Sequence, residues 1–495
     1  MKFGLKENTL FMLSNFIANN LALHFPKERW TDLERNILSV SNEFGYQDVE
    51  KFVNYIMTSP LSYEHIEILT SYLTNNETYF WREHFTFEIL GQKILPELIS
   101  MRQNDKRIRI WSAGCSTGEE PYSIAIALSR VIPNIKDWDI TILAIDISPR
   151  ILIRATVGIY NQWAFRNTPG WLKEKYFLPK ENNKFEIIPA IRNMVKFEYM
   201  NLADDVYPSP LNNTNAMDVI FCRNVLMYFT QNRFKKVTRG LYNSLIDGGY
   251  LVVSASELSL QNFAEFIPVN IPGMVFYQKT SKITKNQSAI NPFEPKPEAI
   301  LVKALPDFNL TSKFETAEII NVISELKENP TQIETRYEEV LKLYSLGYYT
   351  EVIEKLKNES CTGEKQKLLI RAYTNTGNLT RALNECEKAI KINKLDARLY
   401  YLQAIILQEK SEFNAAVVSL KNALYLDPNF IISYYALANT YQHLGNINSA
   451  KKGYDNVLAL LNKCDREYIL PESEGLTAGR LKEILNSTQQ YRVLL

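Results

Sequence analysis

A short apolar strand that runs into a glycine-bearing turn and then into a helix constrains this chain more than any other stretch. Ile108 to Trp111 leads into Ser112-Ala113-Gly114-Cys115-Ser116-Thr117-Gly118-Glu119-Glu120-Pro121-Tyr122-Ser123, and Ile124 to Leu128 follow at helical density. Glycines let the backbone turn sharply and approach a ligand closely, and a proline suits a first helical turn. The pattern predicts the ligand loop of a doubly wound α/β sheet, with Gly114 and Gly118 facing the ligand. The next strand, Ile140 to Ile145, ends in Asp146, a carboxylate placed to accept hydrogen bonds from ribose hydroxyls. A further strand, Asp218 to Cys222, ends in Arg223 and Asn224 at the same carboxyl edge. The plainer roles for those two are an ion pair and a helix cap.

A nicotinamide enzyme would also use an acid at the second strand. Its usual G-x-G-x-x-G loop is absent, however, and Glu119 and Glu120 at the helix start would repel a pyrophosphate. A cofactor without phosphates but with a charged amino group tolerates those carboxylates, which favours S-adenosylmethionine. Just upstream lies Asn76-Glu77-Thr78-Tyr79-Phe80-Trp81-Arg82-Glu83-His84-Phe85. Aromatics packed this densely around one arginine suggest a lid over an adenosine-like ligand, with the Arg82 fork matched to a carboxylate. The alternative is an interdomain core with Arg82 ion-paired to a neighbour.

At 495 residues the chain exceeds one hydrophobic core, and its texture changes along its length. Residues 1–90 carry apolar residues at helical spacing, among them Leu10, Leu13, Ile17, Leu33 and Ile37, and read as a helical domain. Residues 91–280 hold the strand–helix alternation of an α/β domain. Pro292, Pro295, Pro297 and Pro306 sit among polar residues and mark a linker over 281–310. In the helical remainder, 311–495, three registers recur every 34 residues: Ala382, Ala416 and Ala450; Tyr373, Leu407 and Tyr441; Ala389, Ala423 and Val457. That is the period of the tetratricopeptide repeat, a helix-pair solenoid. Gly347 and Val352 echo Gly377 and Ala382 at a spacing of 30 and suggest an earlier, degenerate unit.

The chain holds 56 basic and 55 acidic residues, so no global field draws it to nucleic acid or an anionic membrane. Five scattered cysteines with no CxxC pair argue against a disulfide framework or a zinc site. No stretch reaches the roughly 18 apolar residues of a membrane span, and the first 25 residues lack a signal-peptide pattern. A cytoplasmic protein without membrane insertion, nucleic-acid partner or metal is expected.

Taken together, several segments resemble the chemotaxis receptor methyltransferase family (CheR-type). The carrying residues are Asn76-x-Thr78-x-Phe80-x-Arg82, the stretch Ser112 to Ser123, Asp146-Ile147-Ser148, Phe221-Cys222-Arg223-Asn224-Val225-Leu226-Met227-Tyr228-Phe229, and Gly248-Gly249-Tyr250-Leu251. The resemblance implies a helical N-terminal domain on a Rossmann-like S-adenosylmethionine methyltransferase, with the tetratricopeptide solenoid behind it. It also implies a small antiparallel β-subdomain that docks on the substrate protein, placed here at about 176–201 with Phe185 to Ile188 and Val195 to Tyr199 as strands. The activity implied is methylation of glutamate side chains on chemoreceptor cytoplasmic domains. Carried over by position, Asn76, Thr78, Arg82, Glu119 or Glu120, Asp146, Asn201, Leu202, Arg223 and Asn224 look like cofactor contacts, and Arg82 and Tyr228 look nearest the reaction.

A glutamate carboxylate is already ionised near pH 7, so its attack on a methyl group needs alignment and partial desolvation rather than a general base. Two features depart from the family pattern. Ser254-Ala255-Ser256-Glu257 stands where Gly-His-Ser-Glu is usual, and the basic residues Lys27, Arg29 and Arg35 are offset by Glu28, Asp32 and Glu34. The repeats are expected to bind a further protein or peptide. Two other functions stay open on the residues: a cofactor-binding sensor or scaffold, and a methyltransferase with a different acceptor.

Overall fold

The computed structural model describes residues 4–59, 61, 63–74, 77–258, 263–271, 274–280, 330–359 and 361–493. Asn76 and the predicted linker 281–310 lie outside the described residues.

The N-terminal region is helical: Glu7–Leu21, Trp30–Glu43, Val49–Thr58 and Tyr63–Leu73. Leu10, Leu13, Ile17 and Leu21 recur every three or four residues, so one face of the first helix is apolar and fully buried. The Asp48 side chain accepts from the backbone N–H groups of Glu50 and Lys51 and so starts the third helix. Leu33, Ile37, Phe52, Ile56 and Leu69 close this core, and Tyr228 of the following domain enters the same cluster.

The α/β domain supplies β1 (Arg107–Ala113), β2 (Asp139–Asp146), β3 (Ile159–Asn161), β4 (Phe177–Lys180), β5 (Lys184–Ile187), β6 (Val195–Tyr199), β7 (Met217–Phe221), β8 (Leu245–Val252), β9 (Ile267–Ile271) and β10 (Met274–Gln278). The main sheet has the order β6-β2-β1-β7-β8-β10-β9. Its first five strands are parallel, and β10 is antiparallel to both β8 and β9. Strands β1 and β7 are buried almost throughout because helices cover both faces. Strand order reverses between β1 and β7, the crevice where sheets of this type bind ligands.

A second sheet, β3-β5-β4, is antiparallel and short. This corrects the predicted β-subdomain: it begins at Ile159, and the segment Val195–Tyr199 is not part of it. That segment pairs in parallel with β2, Ile142 opposite Val195 and Asp146 opposite Tyr199. Its Lys196 and Glu198 give it the look of an independent hairpin strand because it is the edge of the main sheet, where charged residues are tolerated.

The repeat region consists of helix pairs: Pro330–Ser345 with Tyr349–Leu356, Glu364–Asn375 with Leu379–Ile392, Ala397–Glu409 with Phe413–Leu426, and Ile431–His443 with Ile447–Leu461. The recurring Ala382, Ala416 and Ala450 are buried between helices, where a larger side chain would hold the pairs apart. Gly347, Gly377 and Gly445 all sit in the left-handed region at the turns inside pairs, so the unit at Gly347 shares the geometry of the later ones. A last helix, Ala478–Val493, closes the array and packs on the helix Pro149–Val157 and on β6.

The array is seated on the α/β domain. Glu409, 3% exposed at its side chain, pairs with Arg107 at 2.9 Å and accepts from Asn215 Nδ2 at 2.7 Å, with Arg109 at 3.9 Å. Thr350 Oγ1 donates to Asp247 at 2.5 Å, and Asn243 Nδ2 to the Ser345 carbonyl at 3.2 Å. Among the described residues no helix is long and apolar enough to cross a membrane.

Candidate functional site

A cleft of about 1000 Å³, counting its open mouth, lies over the carboxyl ends of β1, β2 and β7. Each strand delivers a short run to its wall: Gly114 to Ser116, Ile145 to Ile147, and Arg223 to Val225. Gly114 has φ +86°, and a Cβ there would lie 2.3 Å from Val225 Cγ2. The β1 and β7 loops can therefore touch only because this position has no side chain.

Asp146 is held by two turns, its own and the one after β1. Its Oδ2 accepts from the Ser116 N–H at 2.9 Å and its Oδ1 from the Ser148 N–H at 3.0 Å. Burial pushes its carboxyl upward, and these backbone donors oppose the shift. Glu120 accepts from Ser112 Oγ at 2.7 Å and from Arg223 Nη1 at 3.1 Å. Its carboxyl is likewise raised by burial and opposed by the Arg223 charge. Arg223, 3% exposed at its side chain, also pairs with Glu83 at 3.1 Å and donates to the Arg82 carbonyl at 2.8 Å. Its buried Nε has no hydrogen-bond partner among the described residues. Burial raises the Cys115 thiol well above its ordinary range, so this cleft residue is a packed apolar group and not a nucleophile.

Thr78, Arg82, Gly114, Glu120, Asp146, Asn201, Leu202, Arg223, Asn224 and Tyr228 all line the cleft. Gly118 and Glu119 do not. At φ +94°, Gly118 lets the helix Glu119–Val131 approach Ala155 and Tyr160, each 3.0 Å from where its Cβ would stand. Glu119 turns behind the loop, where Thr117 Oγ1 donates to it at 2.6 Å. Burial there raises its carboxyl to about 7.

The aromatic segment divides in two. Tyr79 and Arg82 face the cleft, Arg82 Nη1 donating to the Glu77 carbonyl at 3.0 Å. Phe80 is fully buried against Tyr160, Phe165 and Phe177, and Trp81 stacks on Phe87. The expected lid is thus half interdomain core. Tyr228 anchors the opposite wall: its carbonyl accepts from the His24 N–H at 2.6 Å, and the Arg29 guanidinium lies 5.3 Å from its ring centre.

Glu257 has a larger part than its sequence position suggested. Its Oε2 accepts from the Asn224 N–H at 2.8 Å and from Ser254 Oγ at 2.6 Å, and its Oε1 from the Met227 N–H at 3.3 Å. The lost family histidine therefore leaves the anchor of the loop after β7 in place. Leu21 and Leu23 also reach the cleft from the N-terminal helices. Neither is singled out by the sequence, because helical periodicity says what is buried but not against what. Among the described residues no group of three or more His, Cys, Asp or Glu is placed to hold a metal ion.

A parallel sheet with its ligand cleft at the switch point, an acid closing the second strand and a glycine turn closing the first define a Rossmann-like methyltransferase-type domain. Comparison with known proteins makes the assignment specific. Residues 76–274 match the family described as "CheR methyltransferase, SAM binding domain", and residues 397–430 and 419–452 each match a tetratricopeptide repeat family. The chain is 32% identical over 260 residues to a chemotaxis protein methyltransferase of Borreliella burgdorferi, covering 52% of this chain and 90% of that protein. It is 37% identical over 243 residues to chemotaxis protein methyltransferase 2 of Vibrio cholerae, covering 49% and 83%. The chain belongs to the CheR family of chemotaxis protein methyltransferases and carries tetratricopeptide repeats behind the enzyme domain.

Proposed function

We propose that the protein is a cytoplasmic S-adenosylmethionine-dependent methyltransferase that esterifies glutamate side chains on the cytoplasmic domains of chemoreceptors. The observation that carries this reading is the pairing of functions across one cleft, with carboxylates Asp146 and Glu120 on the floor and Arg82 with Tyr228 at the other walls.

The donor set fits the cofactor. Asp146 uses one lone pair on each oxygen for backbone donors and keeps others for ribose hydroxyls. Glu120, raised by burial, gains from an ammonium group brought beside it. Asn201, Leu202, Arg223, Asn224 and Thr78 complete the contacts, and Asn76 belongs with them by position. When bound, the cofactor supplies the sulfonium methyl that a carboxylate oxygen attacks. Arg82 offers its guanidinium fork to a carboxylate, the acceptor's or the cofactor's own, and Tyr228 hydrogen-bonds near the transferred methyl. An acceptor carboxylate held in this cleft is partly desolvated and aligned, and needs no base.

The antiparallel sheet β3-β5-β4 is the natural docking surface for the acceptor protein. Ile159, Leu178 and Trp163 stand 40%, 48% and 65% exposed on it or beside it. The repeats provide a second surface for a protein or peptide partner. The test is incubation with methyl-labelled cofactor and receptor cytoplasmic domains, for the intact chain and for Arg82→Ala. Base-labile label on receptor glutamate, lost in the variant while cofactor still binds, supports the reading. Label on a small molecule overturns the acceptor, and full transfer by the variant removes Arg82 from its role.

A further inference from the structure

We propose that Arg480, on the helix that closes the repeat array, is a positioning residue for the cofactor cleft and acts through Asp205. The inference rests on the cofactor reading above. Arg480 Nε meets Asp205 Oδ1 at 2.6 Å and its Nη2 meets Oδ2 at 3.0 Å, a two-point pair with the Asp205 side chain 4% exposed. The same Oδ2 accepts from the Asn201 N–H at 2.6 Å. Asn201 and Leu202 form part of the cleft wall. One carboxylate thus joins the repeat array to the wall of the ligand site.

A second line of contact runs beside the first. The Arg480 guanidinium lies 5.9 Å from the ring centre of Tyr199, which ends β6 opposite Asp146 of β2. The next residue, Met200, donates its N–H to the Asp146 carbonyl at 3.1 Å. Both walls that Arg480 reaches are walls of the cleft.

The pair is suited to adjust the wall rather than to hold the fold. The far side of turn 201–205 is fixed independently, Tyr207 Oη donating to the Leu202 carbonyl at 2.7 Å and Lys236 Nζ to the Ala203 carbonyl at 2.8 Å. The Asn201 N–H depends on Asp205. Without Arg480, that buried carboxylate loses its two-point partner and gains by turning toward water, which leaves the Asn201 N–H without its acceptor and shifts the backbone there, while the Asn201 side chain stays tied to Ala203 N–H at 3.0 Å and to Asp204 at 2.8 Å. The geometry of the cleft wall then depends on how the last repeat helix sits, so a partner that shifts this helix changes cofactor affinity.

The test uses the full chain and calorimetry with S-adenosylhomocysteine. Arg480→Ala is expected to weaken binding about tenfold, equivalent to about 1.4 kcal/mol. Arg480→Lys falls between the two, because one ammonium cannot bridge both oxygens. Adding Arg480→Ala to Asp205→Asn costs nothing further, since both act on one contact. Arg466→Ala, at an arginine 74% exposed that precedes this helix and pairs with Glu483 on it, leaves binding unchanged. No binding by the unaltered chain defeats the cofactor reading itself. Binding by the unaltered chain and equally by Arg480→Ala overturns this inference alone, as does a lower unfolding temperature with unchanged affinity. Losses that multiply in the double variant overturn it too.

Discussion

Glu257 offers the sharpest test of how the cleft is held. It is 8% exposed, and the work is divided unequally between its oxygens: among the described residues Oε2 receives Asn224 N–H at 2.8 Å, Ser254 Oγ at 2.6 Å and Ser254 N–H at 3.3 Å, whereas Oε1 receives Met227 N–H at 3.3 Å. Asn224 sits at φ +59°, a conformation that costs energy unless its surroundings impose it. Glu257→Ala removes every acceptor at once. Hydrogen bonds to a charged group contribute about 1.5–3 kcal/mol each, so loss of the two short ones predicts a destabilisation of about 3–6 kcal/mol. Glu257→Gln keeps a carbonyl oxygen for the Oε2 site and turns its NH₂ toward the long Met227 contact alone. Its expected cost is about 1 kcal/mol.

Urea titration of both variants reads these values from the midpoint shift, and S-adenosylhomocysteine calorimetry reads the cleft. Glu257→Ala should lose cofactor binding as Asn224 relaxes, while Glu257→Gln should retain most of it. If the two variants are equally unstable, the net charge and not the acceptor at Oε2 holds the loop. A cost under about 1 kcal/mol for Glu257→Ala would show that water replaces the side chain and that the anchor is not needed.

Two further outcomes follow from buried charge. Glu119 has its folded-state carboxyl raised to about 7 from the usual 4.5 by burial, so the folded chain binds the extra proton between those values. Its contribution is fully present below pH 4.5 and is lost as pH rises through about 7, up to about 3 kcal/mol. Glu119→Gln should therefore match the unaltered chain near pH 4.5 and exceed it in urea midpoint at about pH 8; a constant difference across that range would contradict the assignment. At the seat of the repeat array, Glu409→Ala leaves Arg107 and Arg109 buried without their carboxylate, at a cost of about 3 kcal/mol. Glu412→Ala, at a glutamate 46% exposed, should shift the urea transition by less than about 0.5 kcal/mol, and equal shifts for the two would mean that the seat is wet.

What the sequence made legible were features set by local spacing. The strand, glycine turn and helix around Gly114 are written in consecutive residues, and Ala382, Ala416 and Ala450 repeat because each unit buries the same face. The errors came where a neighbour distant in sequence decides the outcome. Strand β6 reads as a hairpin strand until β2 is seen beside it. Gly118 and Gly114 look equivalent in the loop, yet Tyr160 stands against one and Val225 against the other. The seat of the repeats depends on Glu409 meeting Arg107, which are 302 positions apart, and no periodicity connects them.

The same distinction refines the argument from paired acids. Two adjacent glutamates at a helix start predict a site that turns phosphates away, yet of the two Glu120 alone reaches the cleft. Glu119 is stored behind the loop with a carboxyl raised to about 7, so near neutrality it is partly protonated. A second acid beside Glu120 is instead Asp146, from the end of β2. A pyrophosphate would face both carboxylates, while the nearby Arg223 is already committed to Glu120 at 3.1 Å and Glu83 at 3.1 Å. An ammonium and a ribose diol would meet these carboxylates as acceptors. The two acids of this argument thus come from a helix start, Glu120, and a strand end, Asp146, and both line the crevice where the strand order reverses.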